Sequence, residues 1–239
     1  MKLTVFNGSP RGGDSNTKVL LENFLEGFTA NKSNSYELFY LMNSEKSGEI
    51  IRSFSNAETV LLAFPLYADA MPGIVKSFIE ALQPFCGRSN NPNIGFIVQS
   101  GFPEAIHLRY IERYLKKLAA RLGCEYKGTV IKGGVEMIRV HSLPNNKAFK
   151  YLSKFSKYHN FAKVGHLLDV DKLYRSFYNL GKYFGKTGQF DVKILKCLAQ
   201  PDKLSRLGFW AFKLVLHLYW NILLKKNNVL DKVSSRPYV

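Results

Sequence analysis

Apolar residues fall into short continuous runs in the first half of the chain. Such runs occur at Lys2–Phe6, Tyr36–Leu41, Thr59–Phe64 and Ile94–Gln99, which have the length of strands, and Thr129–Ile131 lies in the predicted fifth strand. A continuous apolar run is typical of a strand that helices cover on both faces. The runs therefore predict five strands, and the continuous run at Thr59–Phe64 predicts one that is covered on both faces.

Between the runs, apolar residues recur every three or four positions, which is the spacing of one helix face. Glu49–Phe54 predicts a short helix after the second run, Pro72 opens the next helix, and Gly123 ends the one after that. The other helical faces comprise Val19, Leu20, Leu21, Phe24, Leu25 and Phe28, then Ile74, Val75, Phe78, Ile79 and Leu82, then Leu108, Ile111, Leu115, Leu118 and Leu122. Strands that alternate with helices predict an α/β fold with a five-stranded, doubly wound parallel sheet.

The pattern changes after Gly134. Phe161–Tyr183 and Asp202–Leu224 are rich in aromatic residues and helical in spacing. Four lysines share one helical face, which usually marks a solvated surface, and these are Lys147, Lys150, Lys154 and Lys157. The sequence thus predicts a core over residues 1–135 and a basic, aromatic-rich helical extension over residues 136–239.

Charge is distributed unevenly along the chain. The 239 residues carry a formal charge of +16, but residues 1–103 hold 8 Lys and Arg against 9 Asp and Glu, a net −1. Residues 104–239 hold 26 against 9, a net +17. A strongly basic region attracts anions, so we expect a phosphorylated cofactor, an anionic membrane surface or nucleic acid as its partner. Solubility alone is the alternative explanation.

Cysteine and histidine indicate neither a disulfide framework nor a metal site. The cysteines are three and far apart, and the histidines have no metal-ligand spacing. These residues are Cys86, Cys124, Cys197, His107, His141, His159, His166 and His217. The strand-like start also lacks the charged and apolar regions of a secretory signal. We therefore expect a protein of the reducing cytoplasm.

The segment between the first strand and the first helix predicts an anion site. Gly8, Gly12 and Gly13 let the backbone bend and approach a ligand closely. A helix N-terminus presents free backbone N–H groups, and Arg11 adds a positive charge. The hydroxyl groups of this loop belong to Ser9, Ser15 and Thr17. The combination suits a phosphate monoester, and a capped turn with surface hydroxyls is the alternative.

Two further strands are followed by loops that carry an aromatic ring among small residues, at Pro65–Pro72 and Gln99–Glu104. Ligands of open α/β sheets bind outside the carboxyl ends of the strands, where all three loops should meet. Together the loops suit a flat heteroaromatic ring with polar edges. We expect Tyr67 to stack on such a ring and the amides of the later loop to bind its edge. Ordinary strand-to-helix loops are the alternative.

These motifs resemble the flavodoxin-like NAD(P)H-dependent FMN reductases, close to the quinone-reductase and iron–sulfur-flavoprotein branches. The resemblance covers residues 1–135 and rests on Gly8-Ser9-Pro10-Arg11, Ser15-Asn16-Thr17, Pro65-Leu66-Tyr67, Met71-Pro72, Lys76 and Ser100-Gly101. The iron–sulfur branch has clustered cysteines after the second strand, but Met42–Asn56 contains none. We therefore expect no iron–sulfur cluster at that place.

The resemblance implies a flavodoxin-like fold, bound FMN, and NADH or NADPH as co-substrate. It also implies phosphate contacts from Ser9, Arg11, Ser15, Asn16 and Thr17, contacts beside the isoalloxazine from Pro65, Leu66, Tyr67 and Ala68, and contacts at its pyrimidine edge from Gln99, Ser100, Gly101 and Phe102. Reducing equivalents would pass from the nicotinamide through FMN to a small acceptor such as a quinone or free flavin. This chemistry demands no side-chain acid or base, so no catalytic residue is assigned.

Leu207–Leu224 is mostly apolar, with a narrow polar stripe of Lys213, His217 and Asn221. Three interpretations remain open: a helix buried in the core or in a homodimer interface, a helix lying in a membrane interface, and a membrane span. Lys213 argues against a span, because a lysine at the centre of a bilayer costs roughly 2.5–3.5 kcal/mol. Basic residues on both flanks suit an anionic membrane surface.

The function expected from these observations is that of a cytoplasmic, homodimeric NAD(P)H-dependent oxidoreductase, with peripheral attachment to a membrane left open. A flavin-binding electron carrier without a nicotinamide reaction is one alternative, although such carriers are usually acidic. A membrane-attached or nucleic-acid-binding module without redox activity is the other. Nucleic acid is the less expected of those two partners.

Overall fold

The computed structural model describes two compact units. The first comprises Met1–Arg139 and Asp169–Asp202, and the second comprises Val140–Leu168 and Lys203–Val239. The described residues are 1–67, 69–102, 108–136, 138, 170–200, 210, 213, 217, 220–222 and 224–229. The first unit contains the sheet and is described below.

Five parallel strands form a single sheet in the first unit. They are β1 (Lys2–Asn7), β2 (Ser35–Tyr40), β3 (Thr59–Pro65), β4 (Asn93–Gln99) and β5 (Tyr126–Lys132), in the spatial order β2-β1-β3-β4-β5. The strands therefore leave the sheet at one common edge, and their order reverses between β1 and β3, where ligands of such sheets bind. The sequence-based prediction of a doubly wound parallel sheet is confirmed.

Helices follow the strands in the expected alternation. They are α1 (Asn16–Thr29), α2 (Ser47–Ser55), α3 (Gly73–Ala81), α4 (Leu108–Leu122), α5 (Val170–Thr187) and α6 (Val192–Leu198). Short 3₁₀ turns lie at Gly12–Asp14, Ser44–Lys46 and Gln83–Phe85. β5 ends at Lys132 and α5 begins at Val170, so a longer stretch of chain separates α5 from the preceding strand than separates α1, α2, α3 and α4 from theirs.

Side chains alternate between the two faces of the sheet. Phe6 and Leu62 belong to a core that α2, α3 and α4 cover. Val5 and Leu61 belong to a second core that α1 and α5 cover. All seven residues of β3 are buried, which explains why its sequence is a continuous apolar run rather than an alternating one.

α5 packs directly against α1 through glycine residues. A Cβ atom on Gly181 would overlap the carbonyl oxygen of Phe24, and one on Gly27 would overlap the carbonyl oxygen of Tyr178. Because glycine has no Cβ, the two backbones lie closer than other residues would allow. The rings of Phe24 and Phe184 then pack with their centroids 5.8 Å apart.

The buried side chain of Asn34 joins the carboxyl ends of the same two helices. Its Nδ2 donates to the carbonyl oxygen of Phe28 at 3.0 Å and to that of Gly185 at 2.8 Å. Its Oδ1 accepts a hydrogen bond from the amino group of Met1 at 3.1 Å. One amide group thus satisfies carbonyls that the ends of both helices leave without an intrahelical donor.

The structure describes part of the region after residue 135. α5 covers most of the helix predicted within Phe161–Tyr183, and α5 and α6 both belong to the first unit. The lysine-rich face at Lys147–Lys157 lies outside the described residues, as does much of Asp202–Leu224. The boundary at residue 135 stays a prediction. Among the helices of the described residues, none combines the length and apolar character that crossing a bilayer requires.

Candidate functional site

The segments that follow β1, β3 and β4 are each hydrogen-bonded to the end of the neighbouring strand at the carboxyl edge of the sheet. The amide of Gly8 donates to Ala63 O at 2.7 Å, and the amide of Leu66 donates to Gln99 O at 2.7 Å. The amide of Ser100 donates in turn to Lys132 O at 3.0 Å. The structure therefore brings the three predicted loops together, along with a fourth loop that follows β5.

Asn7 and Ser9 fix the path of the β1–α1 loop. Asn7 Oδ1 accepts from the amide of Ser9 at 2.9 Å, and Ser9 Oγ accepts from the amide of Arg11 at 3.3 Å. The amide of Gly12 closes the turn on Ser9 O at 3.0 Å, and Gly12 has a positive φ of 50° that favours glycine. Both polar side chains are buried, so they shape the loop from inside.

Ser15 is the N-cap of α1. Its Oγ accepts from the amide of Lys18 at 3.1 Å and donates to Gly12 O at 2.6 Å. The amides of Asn16 and Thr17, in the first helical turn, donate no hydrogen bond within the part of the chain that the structure describes. Two backbone donors at the positive end of a helix are a favourable arrangement for an anion.

Two of the residues predicted to contact phosphate also connect distant loops. Thr17 Oγ1 accepts from Gln99 Nε2 at 3.2 Å, and both side chains are buried. Asn16 Nδ2 donates to Val135 O at 3.1 Å. These bonds hold the first turn of α1 against the end of β4 and against the loop after β5.

The loop after β5 also belongs to this site, although its sequence was not predicted to. Its amides bond to the β4 loop: Gly134 N donates to Phe102 O at 2.7 Å, and Val135 N donates to Ser100 O at 3.1 Å. The pair Gly133-Gly134 directly after a strand was the available signal. Asn7 was likewise missed, since its role depends on a hydrogen bond and not on a motif.

Two aromatic side chains at this edge are exposed. Tyr67 is 49% exposed and Phe102 is 67% exposed, whereas Pro65 and Leu66 are buried beside them. The amides of Tyr67 and Ala70 each donate to the carbonyl oxygen of the other at 2.9 Å, which makes a tight turn. Ala68, predicted to lie beside the ring, is outside the described residues.

Charged groups lie on the outer side of the β1–α1 loop. Arg11 and Asp14 are exposed. Lys18 Nζ lies 3.1 Å from Glu22 Oε1, and this hydrogen bond, together with the charge of Glu22, raises the pKa of Lys18. Within the described ranges, no three His, Cys, Asp or Glu side chains are grouped so as to hold a metal ion.

The strand order and the site at its switch point define a doubly wound α/β protein with flavodoxin topology. No family model matches the sequence, and no curated protein matches it. Solved structures do share the fold. An FMN-dependent NADH-azoreductase from Bacillus anthracis str. Ames Ancestor is 15% identical with a TM-score of 0.52, covering 77% of this chain and 100% of that one.

Two other solved structures are similar to the same extent. The NAD(P)H:quinone oxidoreductase from Methanothermobacter marburgensis is 13% identical with a TM-score of 0.53, over 80% of this chain and 97% of that one. A flavone reductase is 13% identical with a TM-score of 0.53, covering 80% of this chain and 66% of that one. These similarities confirm the flavodoxin-like fold implied by the sequence resemblance.

Proposed function

We propose that the protein binds FMN at the carboxyl edge of its sheet and passes reducing equivalents from NADH or NADPH to a small acceptor such as a quinone or free flavin. The observation that carries the proposal is the placement of an N-terminal helix turn and two exposed aromatic rings on one set of cross-bonded loops. Neighbours of the same fold are named as FMN-dependent or NAD(P)H-dependent reductases, which supports the same cofactors here.

The β1–α1 loop fits the phosphate group of FMN. In the proposal, the Arg11 guanidinium and the amides of Asn16 and Thr17 bind the phosphate, because charged and helix N-terminal donors are strong partners of anions. The hydroxyls of Ser9 and Ser15 already hold the loop and the cap, so their contribution is to keep these donors in place.

The β3 and β4 loops fit the flavin ring. Pro65, Leu66, Tyr67 and Ala68 would flank the isoalloxazine, with Tyr67 as the stacking side chain. The amide of Ser100 donates to Lys132 O, whereas the amides of Gly101 and Phe102 donate no hydrogen bond to any of the described residues. Those two amides are therefore the donors proposed for the pyrimidine edge. Gln99, bonded to Thr17, orients this loop relative to α1.

FMN supplies the redox chemistry when it is bound, and the chain supplies position and polarity. Backbone amides at the pyrimidine edge stabilise negative charge that develops there, since they are fixed donors that need no rearrangement. Tyr67 and Phe102 are both exposed, so this edge of the sheet is accessible from solvent. No side-chain proton donor is required by this arrangement.

The function is tested by the absorbance of the purified protein and by rapid mixing with NADPH or NADH under anaerobic conditions. The proposal expects a flavin spectrum that is bleached by at least one of the two nucleotides and restored by a quinone. A flavin that neither nucleotide reduces would indicate an electron carrier. A protein that binds no added FMN would contradict the proposal altogether.

The phosphate site is tested by Arg11→Ala with Arg121→Ala as the matched control. Arg121 is exposed in the last turn of α4, at the opposite end of that helix from the site. Loss of a charge-assisted bond of about 1.5–3 kcal/mol should weaken FMN binding roughly 10-fold to 100-fold. Riboflavin, which lacks the phosphate, should bind both variants alike. Equal losses for FMN and riboflavin would place the phosphate elsewhere.

A further inference from the structure

A helical segment near the C-terminus presents two tryptophans to solvent. Within residues 210–226, Trp210 is 64% exposed and Trp220 is 52% exposed. Lys213 and His217 lie between them, and all four are exposed. The steps of three, four and three residues place these side chains on one face of the helix.

Polar groups run along the same face. Asn221 Nδ2 and His217 Nε2 lie 3.0 Å apart, so these two side chains pair with each other. Ile222 on another side of the helix is 55% exposed. Large exposed apolar side chains in one short segment are uncommon on a solvated surface and mark an interaction site.

Positive charge accompanies these aromatic residues. Lys225 and Lys226 are exposed five and six positions after Trp220, at the carboxyl end of the segment. In the sequence, residues 203–239 contain seven Lys and Arg against one Asp, a formal charge of +6. The partner of this surface should therefore be anionic, and it should also accept indole rings.

We propose that the surface carrying Trp210, Lys213 and Trp220, together with Lys225 and Lys226, docks in the headgroup region of an anionic phospholipid membrane. Indole rings are amphipathic and are enriched at the level of lipid headgroups. Lysines beside a helix are attracted to the negative potential of anionic lipids. A single type of surface thus accounts for both the tryptophans and the lysines.

A second copy of the chain fits this surface less well than a membrane does. Symmetric pairing brings the same patch of both copies together, because the interface of a twofold dimer is self-complementary. Lys213, Lys225 and Lys226 of one copy would then face basic segments of the same charge. Anionic headgroups provide opposite charge and tolerate any spacing of the lysines.

The chain offers a built-in probe of this proposal, since Trp210 and Trp220 are its only tryptophans. Full-length protein is mixed with vesicles of phosphatidylcholine alone or of phosphatidylcholine with phosphatidylglycerol. With the anionic vesicles at low salt, the tryptophan emission should shift to the blue and become protected from acrylamide. High salt should reverse both effects, because it screens exposed charges.

The charge requirement is tested by Lys225→Glu with Lys226→Glu, measured by vesicle sedimentation. Lys193→Glu with Lys196→Glu is the matched control, since both lysines are exposed on α6 and the change in net charge is the same. The first pair should reduce the bound fraction at limiting lipid roughly tenfold or more, and the control should leave it near the wild-type value. Circular dichroism of both variants should match the wild type.

Three results would overturn the proposal. The first is an emission spectrum that anionic vesicles leave unchanged at low salt. The second is an equal loss of sedimentation in both charge variants, which would mean that net charge alone controls binding. The third is a lipid-free dimer whose tryptophans are already blue-shifted and protected, which would make this face an interface between copies.

Discussion

α5 and residues 210–226 have similar compositions, but the side chains that the structure describes in each have opposite surroundings. Both are rich in aromatic residues and lysine, and the sequence placed both in one basic extension. Phe177, Leu180 and Phe184 of α5 are completely buried in the first unit. By contrast, the side chains that the structure describes within residues 210–226 are all exposed or half-exposed. Aromatic content alone therefore does not distinguish a core helix from a surface helix.

Glycine spacing is the feature that separates the two helices. Gly181 and Gly185 lie one turn apart on α5, where a Cβ atom would meet the backbone of α1. Residues 210–226 contain no glycine at all. Close contact of two helix backbones needs such small residues, so α5 is adapted to a specific helical partner. Residues 210–226 lack such glycines, so a fluid lipid surface suits them better than close contact with a helix backbone.

The largest expected effect comes from adding one methyl group to α5. Gly181→Ala should lower the free energy of unfolding by roughly 3 kcal/mol, since the Cβ would overlap a carbonyl oxygen that cannot rotate away. Gly73→Ala in α3 is the control, because a Cβ there meets no atom within 4 Å. Urea unfolding measures both. Equal stability of the two variants would show that the glycine contact does not hold α5 on α1.

A smaller effect is expected at the polar link between the two helix ends. Asn34→Ala leaves the carbonyls of Phe28 and Gly185 without their side-chain donor and should cost about 1–3 kcal/mol. Asn90→Ala is the control, since Asn90 is exposed in a loop. Hydrogen exchange should be faster near the carboxyl ends of α1 and α5 in the Asn34 variant alone. Unchanged hydrogen exchange would mean that the hydrogen bonds of Asn34 contribute little to the stability of the two helix ends.

The smallest effect is expected on the exposed helix. Trp210→Ala with Trp220→Ala should change the free energy of unfolding by less than about 0.5 kcal/mol, because both side chains already contact water. Phe177→Ala in α5 provides the contrast and should cost several times as much, because that side chain is completely buried. Urea unfolding followed by circular dichroism suits both, since one variant lacks tryptophan. A large loss from the tryptophan pair would mean that these residues stabilise the fold.

The sheet could be predicted from local patterns, whereas the position of α5 could not. In the runs at Lys2–Phe6 and Thr59–Phe64, apolar residues lie close together in the sequence, and each run is followed by a helical pattern. The place of α5 depends on contacts such as the one between Gly181 and Phe24, far apart in the chain. No local pattern encodes which helix will supply the facing backbone.

The candidate site likewise combines local features that the sequence predicts with contacts between distant residues that it does not predict. The glycine turn after β1 and the ring of Tyr67 after β3 are local features, and the sequence showed where they lie. The bonds from Gln99 to Thr17 and from Asn16 to Val135 join residues separated by 82 and 119 positions. They arise only when the sheet brings the loops together, so composition and spacing could not reveal them.

The distance between α1 and its partner also has a consequence for the newly made chain. Asn34 and Gly185, which meet at the ends of α1 and α5, are 151 positions apart. At ribosomal rates of about 5–20 residues per second, α5 is synthesised roughly 8–30 s after α1. During that interval the phenylalanines of α1 lack the helix that covers them. The nascent protein therefore passes through a stage at which chaperone capture and aggregation compete for one identifiable surface.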